Sequence, residues 1–85
     1  MHIKLYRKYP NGKKRYFRIS ITDINGKFVS MEYISGRSDY EISVKMKNAI
    51  MQSCRENKPK GSSLHFIMAE ISEVDYVIAI RKQEN

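Results

Sequence analysis

Apolar and polar residues alternate over the first quarter of the chain, which is typical of β-strands with one buried face. Between two such runs, Pro10-Asn11-Gly12 supplies residues that accept the positive φ of a tight turn. The pattern predicts a hairpin over residues 2–22. Its apolar face would consist of Ile3, Leu5, Phe17, Ile19 and Ile21.

A second turn at Asn25-Gly26 leads into a third apolar run over residues 27–34. Three strands joined by tight turns favour an antiparallel meander. The pattern leaves open which face of the third strand is buried. If Val29, Met31 and Tyr33 face the core, Glu32 lies beside the basic residues of the hairpin.

Ser38 and Glu41 form a capping-box pattern, which predicts a helix from about residue 39 to about residue 55. Two later apolar runs, within residues 64–81, predict two further strands. The order is then β-β-β-α-β-β. We expect a single small α+β domain over residues 1–85, in which an antiparallel sheet carries a single helix on one face.

The predicted helix carries more apolar surface than packing on one sheet requires. Ile42, Met46 and Ala49 form the face expected against the sheet, and Tyr40, Val44 and Met51 form a second apolar sector. Burial under the last two strands is the favoured interpretation of that sector. The alternative is a surface for a partner or for a homodimer.

Charge is segregated along the chain. Residues 4–18 hold seven basic residues and no acid, and the first carboxylate is Asp23. From Asp23 onward nine basic residues and nine acidic residues cancel, so the net charge of +7 comes from the N-terminal segment. A basic block of this kind raises a local potential that attracts polyanions.

Cations and tyrosines alternate on the polar face of the predicted hairpin, where cations can neutralise phosphates and tyrosine rings can lie against sugar or base. A solvated face whose lysines prevent edge-to-edge pairing is the alternative interpretation. The candidate nucleic-acid-binding residues are Lys4, Tyr6, Lys8, Lys13, Lys14, Arg15, Tyr16 and Arg18, extended by Lys58 and Lys60 in a later loop.

The layout of residues 5–54, three strands followed by a helix, is similar to the arm-binding N-terminal domains of tyrosine integrases. The runs RYFRISI and VSMEYISGRS resemble the tryptophan-glycine-arginine domains of DNA-repair proteins. In this chain Ser35-Gly36-Arg37 replaces the defining triplet of those domains, and no tryptophan is present. Both resemblances imply a nucleic-acid partner.

Catalytic chemistry has little support in the sequence. His2, His65 and Cys54 are isolated, so no metal and no cofactor are expected. A metal-independent ribonuclease that uses Lys, Arg and Tyr is the least favoured function. The single cysteine and the absence of an apolar leader or membrane-length run favour a cytoplasmic protein with no membrane partner.

These features predict a small protein that binds DNA or RNA and contacts the phosphates through its basic sheet face. The alternative is a protein-interaction module or inhibitor that docks on an acidic protein partner, with a homodimer as one form of it.

Overall fold

The computed structural model describes residues 7–56 and 64–84. Its elements are a 3-10 turn at Pro10–Gly12, strands β1 (Arg15–Asp23), β2 (Phe28–Gly36) and β3 (Leu64–Ile71), and helices α1 (Asp39–Glu56) and α2 (Glu73–Glu84). The strands form one antiparallel sheet in the order β2-β1-β3. The predicted α+β class, with an antiparallel sheet that carries a helix, is confirmed.

Strand β1 is the centre of the sheet, paired with β2 along one edge and with β3 along the other. It therefore has no edge left for the first strand of the predicted hairpin. Instead, Lys8 forms an isolated antiparallel bridge with Ser38, and the Tyr9 amide donates to the Arg37 carbonyl at 2.7 Å. The rest of the predicted first strand, residues 1–6, lies outside the described residues.

The chain turns at both predicted positions, but the first is a 3-10 turn, and Lys8 before it pairs with Ser38 and not with β1 as the predicted hairpin required. Asn11 and Gly12 adopt φ values of 57° and 65°, and the Lys13 amide donates to the Pro10 carbonyl at 3.1 Å. At the second turn only Gly26 takes a positive φ, of 81°. The Asp23 carboxylate stabilises that turn by accepting the backbone amides of Asn25 and Lys27.

The core consists of Phe17, Ile19 and Ile21 from β1, Ile34 from β2 and Ile42 from α1. Because Phe17 lies opposite Ile34 and Ile19 lies opposite Glu32, Glu32 faces the α1 side of the sheet. This register answers the question that the sequence left open about β2. Glu32 is thus on the face opposite Arg18. Burial is the main reason that the pKa of Glu32 is raised, and the nearby Glu56 carboxylate raises it further.

Helix α1 begins with the predicted cap. The Ser38 hydroxyl accepts the Glu41 amide at 3.1 Å, and the Glu41 carboxylate reaches back to the Arg37 amide at 3.5 Å. These contacts satisfy amides that have no partner within the helix. The helix ends one residue later than predicted, at Glu56.

Helix α1 packs chiefly on β2. Met46 and Ala49 lie against the core as predicted, and the buried Ser53 hydroxyl lies 2.9 Å from that of Ser30 on β2. A Cβ at Gly36 would lie 2.9 Å from Ile42 Cδ1, so glycine allows the helix to start close to the end of the strand.

The predicted last strand, within residues 74–81, is wrong, because this segment is helix α2. The Ser72 hydroxyl caps it by accepting the Asp75 amide at 3.1 Å. Glu73 and Asp75 in the first turn and Arg81 and Lys82 in the last turn complement the helix dipole. The run of β-branched residues suggested a strand, whereas this cap and charge order favour a helix.

Arg15 joins four segments of the chain. Its guanidinium donates two hydrogen bonds to Glu70 on β3, at 2.7 and 2.9 Å, and lies over the rings of Tyr9 and Phe17. The Asp39 carboxylate, 3.9 Å from Arg15, accepts the Tyr9 hydroxyl. The hydrogen bond from Arg15 holds the pKa of Glu70 below its usual range, and Glu70 raises the pKa of Arg15.

Replacing Ile21, which is 0% exposed, by alanine should lower the free energy of unfolding by about 2–5 kcal/mol, because the change leaves a cavity in the core. Ile24 is 62% exposed, and Ile24→Ala should change stability by less than about 0.5 kcal/mol. Urea denaturation of both variants measures the difference. Equal losses in the two variants would contradict the assigned core.

Glu70→Gln should lower the free energy of unfolding near neutral pH. Because the folded-state pKa of Glu70 lies below its unfolded value, the stabilisation is present above the unfolded pKa. It is lost as pH falls through the folded pKa, so wild type and variant should converge in acid. Denaturation curves at about pH 7 and about pH 2 measure this convergence.

The matched control is the double variant Arg15→Gln/Glu70→Gln. If the two side chains stabilise the fold through each other, its loss of stability is smaller than the sum of the two single losses. A strictly additive double variant, or a Glu70→Gln effect that persists in acid, would show that this ion pair does not contribute.

Candidate nucleic-acid interface

A groove at one end of the sheet gathers several of the predicted binding residues. It begins at the Asn11-Gly12 turn, runs past the start of β1 and ends at the start of α2, with a volume of about 610 Å³. We call it the basic groove. Its lining residues are Gly12, Lys13, Lys14, Arg15, Tyr16, Arg37, Glu70, Ile71 and Glu73.

The basic groove has a positive balance of charge. Four cations line it against two carboxylates. One of those carboxylates, Glu70, is bound by Arg15. Lys13, Lys14 and Arg37 form no ion pair with any carboxylate in residues 7–56 and 64–83. Lys13, Lys14 and Arg37 thus keep charges for a ligand, opposed in the groove by Glu73, although the charge of Arg37 is partly offset by the nearby Glu41 carboxylate.

Arg15 differs from its lysine neighbours because its charge is already compensated. Both carboxylate oxygens of Glu70 accept its hydrogen bonds, and Asp39 lies near the remaining guanidinium nitrogen. A ligand phosphate would have to compete with a bidentate partner held in place by the sheet. Arg15 therefore links strands and does not offer an open charge in this structure.

Tyr16 is less accessible than the sequence suggested. Its ring contacts that of Tyr76 on α2, with centroids 4.9 Å apart and planes inclined by 47°. The reason is the helical state of residues 73–84, since α2 lies over the face of β1 and β2 that we expected to face solvent. Tyr16 is half-buried and does not present an open ring for base stacking.

Arg18 remains exposed on the same face of β1 as Tyr16. It lines a second groove of about 340 Å³ between the sheet and α2, together with Tyr33, Asp75 and Lys82. Ile71 lines both grooves, so Arg18 and Lys82 extend the positive surface beyond the basic groove.

The other predicted binding residues divide into two groups. Lys8 is exposed and lies at the bridge to Ser38, next to Arg37 of the basic groove. Four of the predicted residues lie outside the described residues, and these are Lys4, Tyr6, Lys58 and Lys60.

Sequence reasoning missed Arg37 as a groove residue. It stands between β2 and α1, more than twenty positions away from Lys14 along the chain. Pairing of β1 with β2 places Gly36 opposite Arg15, which brings the end of β2 beside the basic segment. The only local signal was the break at Ser35-Gly36-Arg37. It indicates that the strand ends there, but it does not indicate that Arg37 lies beside the basic segment.

The second apolar sector of α1 is a surface feature. Tyr40, Val44 and Met51 are 46%, 39% and 53% exposed, so the expected burial under the last strands is wrong. The physical reason is the strand order, because β3 lies beyond β1 and α1 packs on β2. These three residues form one stripe along the helix, which we call the α1 stripe.

Neither a metal cluster nor a membrane-length helix occurs in the part of the chain that the structure describes. No group of three or more His, Cys, Asp or Glu side chains there is arranged to hold a metal ion. Neither described helix is long and apolar enough to span a membrane. Glu70, Glu73 and Asp75, which lie near one another in the sequence, serve instead as the partner of Arg15 and as the first turn of α2.

Comparison with known proteins adds no relative to this picture. No protein-family model, no curated protein sequence and no solved structure matches the chain. The two resemblances noted in the sequence therefore gain no support from a match, and the function has to be argued from the site.

Proposed function

We propose that this protein binds nucleic acid by contacting backbone phosphates at the basic groove. The observation that carries the proposal is the convergence of Lys13, Lys14 and Arg37 on one concave surface, where none of the three forms an ion pair with a carboxylate in residues 7–56 and 64–83. Phosphate contacts from lysine and arginine supply most of the affinity of nonspecific nucleic-acid binding.

The local backbone supports a phosphate ligand. The Asn11-Gly12 turn holds Lys13 and Lys14 at the mouth of the groove, and its 3.1 Å hydrogen bond fixes the direction in which the chain leaves the turn. Gly12 carries no side chain that could block the approach of a backbone. Lys8 and Arg18, both exposed, lie where a longer ligand could continue.

The same site favours contact with phosphates over contact with bases. Tyr16 packs on Tyr76, and the Arg15 guanidinium lies over the ring of Tyr9. Neither ring is therefore placed for the stacking that single-strand binders use. Because phosphate contacts carry no base information, the affinity should vary little with sequence.

A salt titration with matched charge variants tests the proposal. Each phosphate contact on duplex DNA contributes about −0.9 to the slope of log K against log salt. Lys13→Gln/Lys14→Gln should therefore make the slope less negative by about 1.8. Fluorescence anisotropy with duplexes of two unrelated sequences measures the slope, and both duplexes should give the same change.

The control is Lys27→Gln/Lys47→Gln, which removes the same charge at two exposed lysines outside the basic groove. Its slope should equal that of the wild type. If the two double variants weaken binding equally, the effect is one of net charge and the groove has no special role. If the wild type fails to bind at low salt, the proposed function is wrong.

A second candidate is docking on a protein, and the exposed α1 stripe favours it. Tyrosine and methionine are enriched at protein interfaces, and the stripe presents both on one face of a helix. Affinity capture with wild type and with Val44→Ser/Met51→Ser separates the candidates. A protein that is retained by the wild type and not by the variant supports docking at the α1 stripe. If the wild type retains nucleic acid and no protein, the docking function is contradicted.

A further inference from the structure

Strand β3 is an edge of the sheet. Its inner edge pairs with β1 from Leu64 to Ile71 without interruption. Within the described part of the chain, no strand pairs with its outer edge. Every second residue of β3 therefore directs a backbone N–H and C=O away from the sheet, which is a template for another strand.

The middle of β3 is apolar and exposed on both faces. Phe66 and Met68, 39% and 42% exposed, lie on the face that holds the core, and Ile67, 66% exposed, lies on the other face. Helices α1 and α2 make their main contacts with β1 and β2. Both faces of β3 therefore keep exposed apolar side chains along this stretch.

The usual protections of an edge strand are missing here. Natural edges carry an inward charge, a proline or a bulge that prevents pairing. Residues 66–69 contain no charge and no proline, and their register with β1 has no bulge. The one acid of β3, Glu70, is bound to Arg15. This segment favours pairing with a further strand.

The described N-terminal segment is occupied elsewhere. Lys8 and Tyr9 pair with Ser38 and Arg37, just beyond the end of β2. Strand β2 forms the opposite edge of the sheet, so residues 8 and 9 pair beside that edge and not with β3.

The sequence of β3 is complementary to itself in an antiparallel ladder. Residues directly opposite one another in an antiparallel pair have their side chains on the same face of the sheet. In a symmetric pair of β3 strands, one residue therefore lies directly opposite its own copy, and the twofold axis passes between the two. With the axis at Ile67, the two Ile67 side chains meet, and Phe66 lies opposite Met68 of the second copy. Leu64 then lies opposite Glu70, and no two like charges face each other.

We propose that the protein forms a homodimer in which β3 pairs with β3 of a second copy, joining two sheets into one of six strands. The pairing satisfies the outer backbone groups of both strands and covers the exposed apolar side chains in one step. It is independent of nucleic-acid binding, and it places the two basic grooves at opposite ends of the joined sheet.

Sedimentation equilibrium of the full chain over a range of concentrations tests the dimer. Ile67→Lys should weaken self-association by about tenfold or more, because two lysines would face each other across the axis. The matched control is Val74→Lys, since Val74 is 67% exposed on α2 and lies outside β3. Its dissociation constant should stay within about twofold of the wild-type value.

Cysteine cross-linking tests the register. In a Cys54→Ser background, Ile67→Cys should form a disulfide-linked dimer with oxidised glutathione, because a residue on the axis lies about 4.5–5.5 Å, Cα to Cα, from its own copy. Val74→Cys in the same background should stay monomeric on a denaturing gel.

Two results would overturn the proposal. One is a chain that sediments as a monomer up to about 1 mM, which includes the case where the outer edge of β3 is covered by its own chain. The other is a dimer that tolerates Ile67→Lys and is lost in Met51→Lys, because that outcome places the interface on the α1 stripe.

Discussion

The pairing of β1 on both of its edges is the constraint on which the rest of this structure depends. The side chains of this central strand alternate between the two faces of the sheet. Ile19 and Ile21 are buried beneath α1, while Tyr16 on the other face meets Tyr76 of α2. The sequence predicted one helix on one face of the sheet. In the structure the sheet lies between two helices, which pack mainly on β1 and β2.

The same constraint divides the basic segment between structure and function. Arg15 sits beside β3 and is bound by Glu70, so its charge helps to hold an edge strand. Lys13 and Lys14 precede the strand and keep their charges open. Arg37, carried to the same place by the end of β2, restores a third positive charge. A charged segment read along the chain thus overstates the charge that the fold leaves for a ligand.

The uneven cover of the sheet links the two proposals. Helix α1 packs on β2 and helix α2 lies over β1 and β2, so the start of α2 helps to form the grooves and β3 keeps exposed apolar residues on both faces. The charged end of the sheet favours a polyanion, whereas its apolar edge favours another strand. Because the open cations of the groove and the exposed apolar residues of β3 are different side chains, binding at one does not require the other.

Local physical chemistry determined what the sequence could predict. Positive φ at Asn11, Gly12 and Gly26, the Ser38 cap and the apolar face of β1 all depend on residues a few positions apart, and each is present as expected. Tertiary structure decided which strands flank β1, since both the N-terminal run and β3 had suitable patterns. It also made the last apolar run a helix, because the Ser72 cap and packing against Tyr16 prevail over β-propensity there. The basic groove depends on those long-range choices, and so Arg37 could not be assigned to it from the sequence.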